Sequence, residues 1–212
     1  MSGSEDILAA RRLLRSQHSA ALATLSLKQA GHPFASGVDY FTDYAGRPVF
    51  LISSLAEHSK NITADPRISL LVQGASNDVQ ASPRLTVVGK ASGVSAAEAA
   101  GLKARYLRYF PDAEQYFALD FFFCRLEPEQ LRYVGGFGVA RWIASGDFLA
   151  AESGWEAAES AATARFPTLV GLDCDGFDLR SGKLPERRDF AAPLTPDQAA
   201  NALAALTESP SA

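Results

Sequence analysis

The sequence predicts a mainly β protein with helices, an antiparallel barrel followed by a small α+β domain. Three observations carry this expectation. Short runs rich in β-forming residues recur through the first two thirds of the chain, separated by tight turn signals. Only a few stretches between them have helical spacing. After Ser145 the composition turns Ala- and Glu-rich, which sets residues 1–147 apart from 148–212.

Taken in order, Ser4 caps a first helix whose opening turn carries Glu5 and Asp6, where negative charge suits the helix dipole. Ile7, Ala10 and Leu14 give it an apolar face, and it ends near Gln17. Ala20–Leu27 and Phe34–Phe41 read as strands around a turn at Lys28–Pro33. Asp43-Tyr44-Ala45-Gly46 is hairpin-turn chemistry leading into a third strand, Pro48–Ser53. Ser54-Leu55-Ala56-Glu57 fits a capping box, so a helix follows and stops near Asp65-Pro66. Arg67–Gln73 and Arg84–Val94 are strands flanking the polar loop Gly74–Pro83. Ala96–Phe110 reads as a helix ended by Pro111, and Leu119–Val134 as strand, turn at Glu127-Pro128, and strand. Short connections imply antiparallel pairing, and closing the sheet into a barrel removes its edges. The tail reads as helix Glu152–Arg165, a strand-turn-strand unit over Leu169–Phe190, and helix Pro196–Thr207 with Thr195 as its cap.

Bulk properties exclude several classes. With 47% hydrophobic and 21% charged residues, the composition is that of an ordinary globular protein. No apolar run approaches the ~20 residues of a membrane helix. The start has acidic residues and no apolar core of a secretory signal. Cys124 and Cys174 stand far apart, outside any CxxC pattern, so a reducing cytoplasm is the expected location. Residues 151–212 carry ten acids against five bases, whereas residues 1–150 hold fourteen and fifteen. Neither part has the basic stripe of a nucleic-acid binder.

The strongest local chemistry lies at the strand-to-helix junction Ile52–Asn61. Amides at a helix start favour an anion, and Ser53, Ser54, Ser59, His58 and Lys60 add donors suited to a phosphate ester. The same residues also fit a capped surface helix with a polar first turn. Arg84 opens a strand and can face an electron-rich ring or carbonyl. Gly135-Gly136-Phe137-Gly138 has the wrong spacing for a dinucleotide fingerprint and no βαβ unit follows. Asp173–Asp178 resembles a calcium loop only superficially; its glycine is misplaced and a hairpin turn fits better. His18, His32 and His58 form no ligand cluster, so no metal site is expected.

The run HPFASGVDYFTDYAGRPVFLISSLAEHSKNITADPRISLLV, with RLTVVGKA, Asp120-Phe121 and RYVGGFGVA, resembles the FMN-binding split β-barrel family. Within it the chain is similar to the pyridoxamine 5'-phosphate oxidase-related, haem-utilisation (HugZ-like) branch, over roughly residues 7–145. That resemblance implies an antiparallel, Greek-key-like split barrel, and a homodimer with FMN at the subunit interface. It implies an FMN-dependent oxidoreductase acting on a small molecule. It places the phosphate on His58, Ser59 and Lys60 with Ser53 and Ser54, passes Ser36-Gly37-Val38 along the flavin, and brings Arg84 to the ring. The oxidases' Arg-Lys pair reads His58-Ser59 here, which favours the haem-utilisation branch.

The tail VGLDCDGFDLRSGKLPERRDFAAPLTPDQAANALAAL resembles the small C-terminal domain of that branch, which usually begins with a histidine-bearing helix. Here ESGWEAAESAATARF has none, and no histidine follows His58. Haem binding or haem degradation is therefore the disfavoured alternative to flavin, because imidazole is the usual axial ligand. A non-catalytic flavin-binding or interaction protein is the third reading.

Overall fold

The computed structural model describes residues 3–74, 78–136 and 138–208. The chain runs α1 (Gly3–Ser16), β1 (Ser19–Leu25), β2 (Pro33–Thr42), β3 (Pro48–Ser53), α2 (Glu57–Ala64), β4 (Arg67–Gln73), β5 (Arg84–Gly93) and α3 (Ala96–Tyr109). After a 3₁₀ helix over Pro111–Ala118 come β6 (Phe121–Val134), β7 (Ala140–Ala144) and α4 (Ser145–Phe148). The last part holds α5 (Trp155–Arg165), β8 (Leu169–Asp173), β9 (Gly176–Ser181), β10 (Leu184–Asp189) and α6 (Pro196–Glu208).

The large sheet has the order β3-β2-β1-β4-β5-β6-β7, all antiparallel, and β3 pairs back onto β6. Six strands thus close into a barrel and β7 extends it. The expected mainly β fold with a split barrel is what the chain adopts. Inside, alternate residues of the strands (Leu22, Tyr40, Phe50, Leu70, Leu85, Val87, Leu126, Leu131) are fully buried, and α1 lays Ala10 and Leu14 on them. A second cluster, with Phe41, Val49, Tyr106, Tyr109 and Phe123, joins α3 to the barrel's outer side.

Several sequence expectations need correction. Glu127-Pro128 is not a turn: β6 is one continuous 14-residue strand. Val88 pairs with Gln130 and Gly89 with Pro128, so Glu129 bulges out, which accommodates a proline that has no amide to donate. Gly89 is required there, because a Cβ would meet the Glu127 carbonyl oxygen at 2.0 Å. The Ser54–Glu57 capping box does not form, since α2 begins after Ala56, which makes no side-chain cap. The capping box found is Ser95–Glu98 at α3. Ser4 lies inside α1 rather than before it. Helix α5 starts at Trp155, after Gly154 in the left-handed region at φ 86°. Phe137 of the glycine run lies outside the described residues.

Strands β8–β10 form a separate antiparallel sheet packed by α5 and α6 around Trp155, Leu172, Phe177 and Leu203. The expected hairpin turn at Asp173–Gly176 is present. Its Asp173, Cys174 and Asp175 bring ligand-type atoms together, but guanidinium groups already serve them. Arg15 reaches both Asp173 and Asp175 at 3.0 Å, Arg11 reaches Asp175 at 2.9 Å, and Arg187 reaches Asp173 at 2.7 Å. The buried charges of the tail are therefore tied to α1 of the barrel. No helix among the described residues is long and apolar enough to cross a membrane.

Candidate functional site

The predicted residues fall on β2, on the β3–α2 turn with α2, and at the start of β5. On β2, side chains alternate: Val38 points into the core and is 7% exposed, whereas Gly37 faces outward. Val38 can therefore meet a ligand only through its backbone. Gly37 sits opposite Ala21 on β1, and Ala21 opposite Leu71 on β4. These residues border an open hollow of about 450 Å³, whose polar lining is Gln17, Ser19, Asp39 and Gln73. The same cross-strand row continues from Leu71 to Thr86, Arg132 and Trp142. Leu71 is 40% and Trp142 62% exposed, with the Arg132 guanidinium 5.5 Å from the Trp142 ring. Exposed large apolar groups thus stand in one outward row of the sheet.

Ser36, on the other side of β2, meets α2: its hydroxyl lies 3.1 Å from His58 Nδ1. Burial holds the His58 imidazole below its ordinary range, so the ring is neutral at pH 7. His58 Nε2 and the Ser59 hydroxyl are buried without a hydrogen-bond partner among the described residues. Lys60 is exposed. Arg84 pairs with Gln73 at the hollow's border, but its Nη1 donates to the Val79 carbonyl at 3.0 Å.

Ser53 and Ser54 are together, and they are occupied. Both hydroxyls donate to one oxygen of Asp120 at 2.8 Å, and the Leu55 amide approaches the same atom at 3.3 Å. The Ser54 amide also donates to the Asp120 carbonyl at 3.1 Å. The two serine hydroxyls pull the exposed Asp120 carboxyl below its ordinary range, so it stays charged. The turn thus accepts an anion, as its serines suggest, and the chain supplies that anion itself. Sequence reasoning missed Asp120 as a site residue because it lies 66 positions from Ser54. Only the β3–β6 pairing of Ser53 with Phe121 brings the two together. The exposed row was missed at Ala21, Leu71 and Trp142, where a strand's alternation carries the only signal.

A six-stranded antiparallel barrel closed by β3 on β6, with this outward face and the β3–α2 turn, defines the class as a split β-barrel. Residues 4–150 match the family described as CREG, beta-barrel, and the chain belongs to that family. The resemblance read from the sequence is consistent with this. Over 127 residues the chain is 39% identical to the non-canonical heme oxygenase HOZ, chloroplastic, of Arabidopsis thaliana, a match covering 60% of this chain and 39% of that protein. The chain thus spans about two fifths of that relative's length. Among solved structures, the protein Atu2129 of Agrobacterium tumefaciens, of unknown function, is 29% identical. Its TM-score is 0.80, with 95% of this chain and 94% of that one covered. A heme binding protein from Mycobacterium smegmatis is also 29% identical, with a TM-score of 0.64 and 98% of each chain covered.

Proposed function

We propose that this protein is a homodimer that binds haem as a substrate on the outer face of its barrel, in the hollow bordered by Gly37, Ala21 and Leu71. The observation that carries this reading is the hollow itself. Bare strand at Gly37 and Ala21 lets a flat ring lie against the sheet, Leu71 supplies apolar contact, and 450 Å³ is on the scale of a small-molecule site. The two named relatives above, a heme oxygenase and a heme binding protein, support haem as the ring. None of the three imidazoles borders the hollow: His18 is enclosed, His32 stands on the β1–β2 turn, and His58 is turned to Ser36. The ring is therefore held by its faces and not by an imidazole of this protomer. Residues 148–212 are read as a separate small domain, and two buried free thiols, Cys124 and Cys174, suit a reducing compartment such as the cytoplasm.

Haemin titration followed in the Soret region tests the reading, with Gly37→Phe as the variant that fills the hollow. A Cβ at Gly37 meets nothing within 4 Å, and the melting temperature of the variant is measured alongside. The expectation is saturable binding by wild type and loss of at least about tenfold in Gly37→Phe. No saturable change, or an unaffected variant, overturns it.

An FMN-binding oxidoreductase is the second reading. What favours it is the Ser53–Leu55 turn, whose three donors converge on a carboxylate as they would on a flavin's phosphate. FMN titration by fluorescence quenching, giving tight binding where haemin gives none, supports it over haem.

A further inference from the structure

We propose that the cavity between α3 and the start of α5 is a second small-molecule site, one that takes an amino acid by its carboxylate and ammonium groups. The cavity measures about 560 Å³, and none of its lining residues borders the hollow on the barrel face.

One charge of each sign in this cavity is not fully used. Arg105, on α3, lines it and is 3% exposed. Its Nη1 pairs with Glu159, and the Tyr44 ring lies 4.4 Å from the guanidinium carbon, so the group is fixed at one end and on one face. Nε and Nη2 have no hydrogen-bond partner among the described residues. Those two nitrogens form the side-on edge of a guanidinium, which meets a carboxylate with two parallel hydrogen bonds. A buried donor edge left empty is costly, so an arriving carboxylate satisfies what the fold leaves unsatisfied.

Glu156, on α5, is the matching acid. It lines the same cavity, is exposed, and pairs with no base among the described residues. Its Oε1 lies 3.3 Å from where a Cβ on Gly101 would stand. Gly101 is four residues before Arg105 on one face of α3, so the free carboxylate and Arg105 border the cavity from neighbouring turns.

The remaining charges of the lining serve each other. Arg47 pairs with Asp43 at 2.6 Å and with Glu152, and Arg125 pairs with Asp43 at 3.2 Å and with Glu98 at 3.1 Å. Four acids thus stand against three bases, and a ligand bearing only a carboxylate meets an excess of like charge. A zwitterion is neutral overall: its carboxylate settles on Arg105 and its ammonium on Glu156. The bare helix wall at Ala97 and Gly101 leaves the rest of the volume to the side chain.

Calorimetric titration of the full chain with each of the protein L-amino acids finds the tightest binder. The carboxylic acid lacking its amino group and the amine lacking its carboxylate are titrated beside it. The expectation is saturable binding of at least one amino acid, weaker by about tenfold or more in both analogues. Glu156→Gln removes a charge that no base of the fold uses; it should weaken the amino acid by about tenfold and spare the deaminated acid. Arg105→Lys keeps a charge facing Glu159 and loses the side-on edge, so it should weaken the amino acid and the deaminated acid alike. Should Arg105→Lys fail to fold, Glu156→Gln decides alone. The proposal is overturned if no amino acid binds at millimolar concentration, if the deaminated acid binds as tightly, or if folded Glu156→Gln binds within about twofold of wild type. The haemin titration above is judged separately, because the two sites share no residue.

Discussion

Replacing Glu159 tests how the tail is fastened to the barrel. This α5 carboxylate is 1% exposed and gathers four donors. Its oxygens face the guanidinium groups of Arg105 and Arg108 on α3 in close ion pairs, accept from Tyr44 at 2.9 Å, and accept the Leu172 amide at 2.8 Å. Arg105 is 3% exposed, and its ring neighbours Tyr44 and Tyr109 offer only cation–π contact at 4.4 and 5.8 Å. Tyr44 is pushed up to about 12, by burial first. Glu159→Ala leaves the Arg105 charge enclosed with no counter-ion and strips the Leu172 amide of its acceptor. Removing one partner of a buried pair costs about 3–5 kcal/mol. For a chain of this size that is a fall in Tm on the order of 6–20 °C. Urea and thermal unfolding measure it. Glu159→Gln, which keeps one oxygen acceptor for the Leu172 amide, removes the charge and should recover only part of the loss. A combined Arg105→Met/Glu159→Leu variant, with no charge stranded, should be more stable than Glu159→Ala. A loss below about 1 kcal/mol, the worth of an exposed pair, refutes the reasoning.

Three more predictions follow from other parts of the molecule. Gly89→Ala forces a methyl against the Glu127 carbonyl at the β6 bulge, and should cost at least about 2 kcal/mol in thermal unfolding; a Tm change within 2 °C contradicts the need for glycine there. His18 is buried against Tyr109, with both ring nitrogens unpartnered among the described residues, and burial pulls it down to about 4. The folded state thus disfavours the protonated ring: its contribution is full above the ordinary value near 6.5 and is lost as pH falls from 6.5 toward 4, on the order of 3 kcal/mol in all. His18→Leu should flatten stability across that window, and an unchanged slope contradicts the assignment. Leu71→Glu puts a charge in the middle of the exposed row; if the proposed homodimer forms through this row, sedimentation of wild type shows a dimer and that of the variant a monomer. A dimer of wild-type strength means another face is used.

Most of the barrel was legible because strand alternation and turn residues act locally. The Asp43–Gly46 turn, strand β3 and the α3 end before Pro111 follow from a few neighbouring residues. Errors arose where a distant partner overrode a local signal. Pro128 reads as a turn, yet the long pairing with β5 carries the strand through it on a bulge. Ser54 reads as a helix cap, yet Asp120 takes its hydroxyl. The candidate site was half legible for the same reason. Ser36 lies against His58 and Ser53 and Ser54 bond Asp120, contacts that depend on which strand closes the barrel. The outward row across Gly37, Ala21 and Leu71 is spread over three strands and has no motif in any one of them.

The most direct test of haem as the ligand is the absorption spectrum of the protein purified in the presence of haem, with the released chromophore identified by mass. The expected result is a Soret band that survives gel filtration and yields about one haem per protomer. A yellow protein that releases FMN, or a colourless one that takes up no haemin, contradicts the proposal.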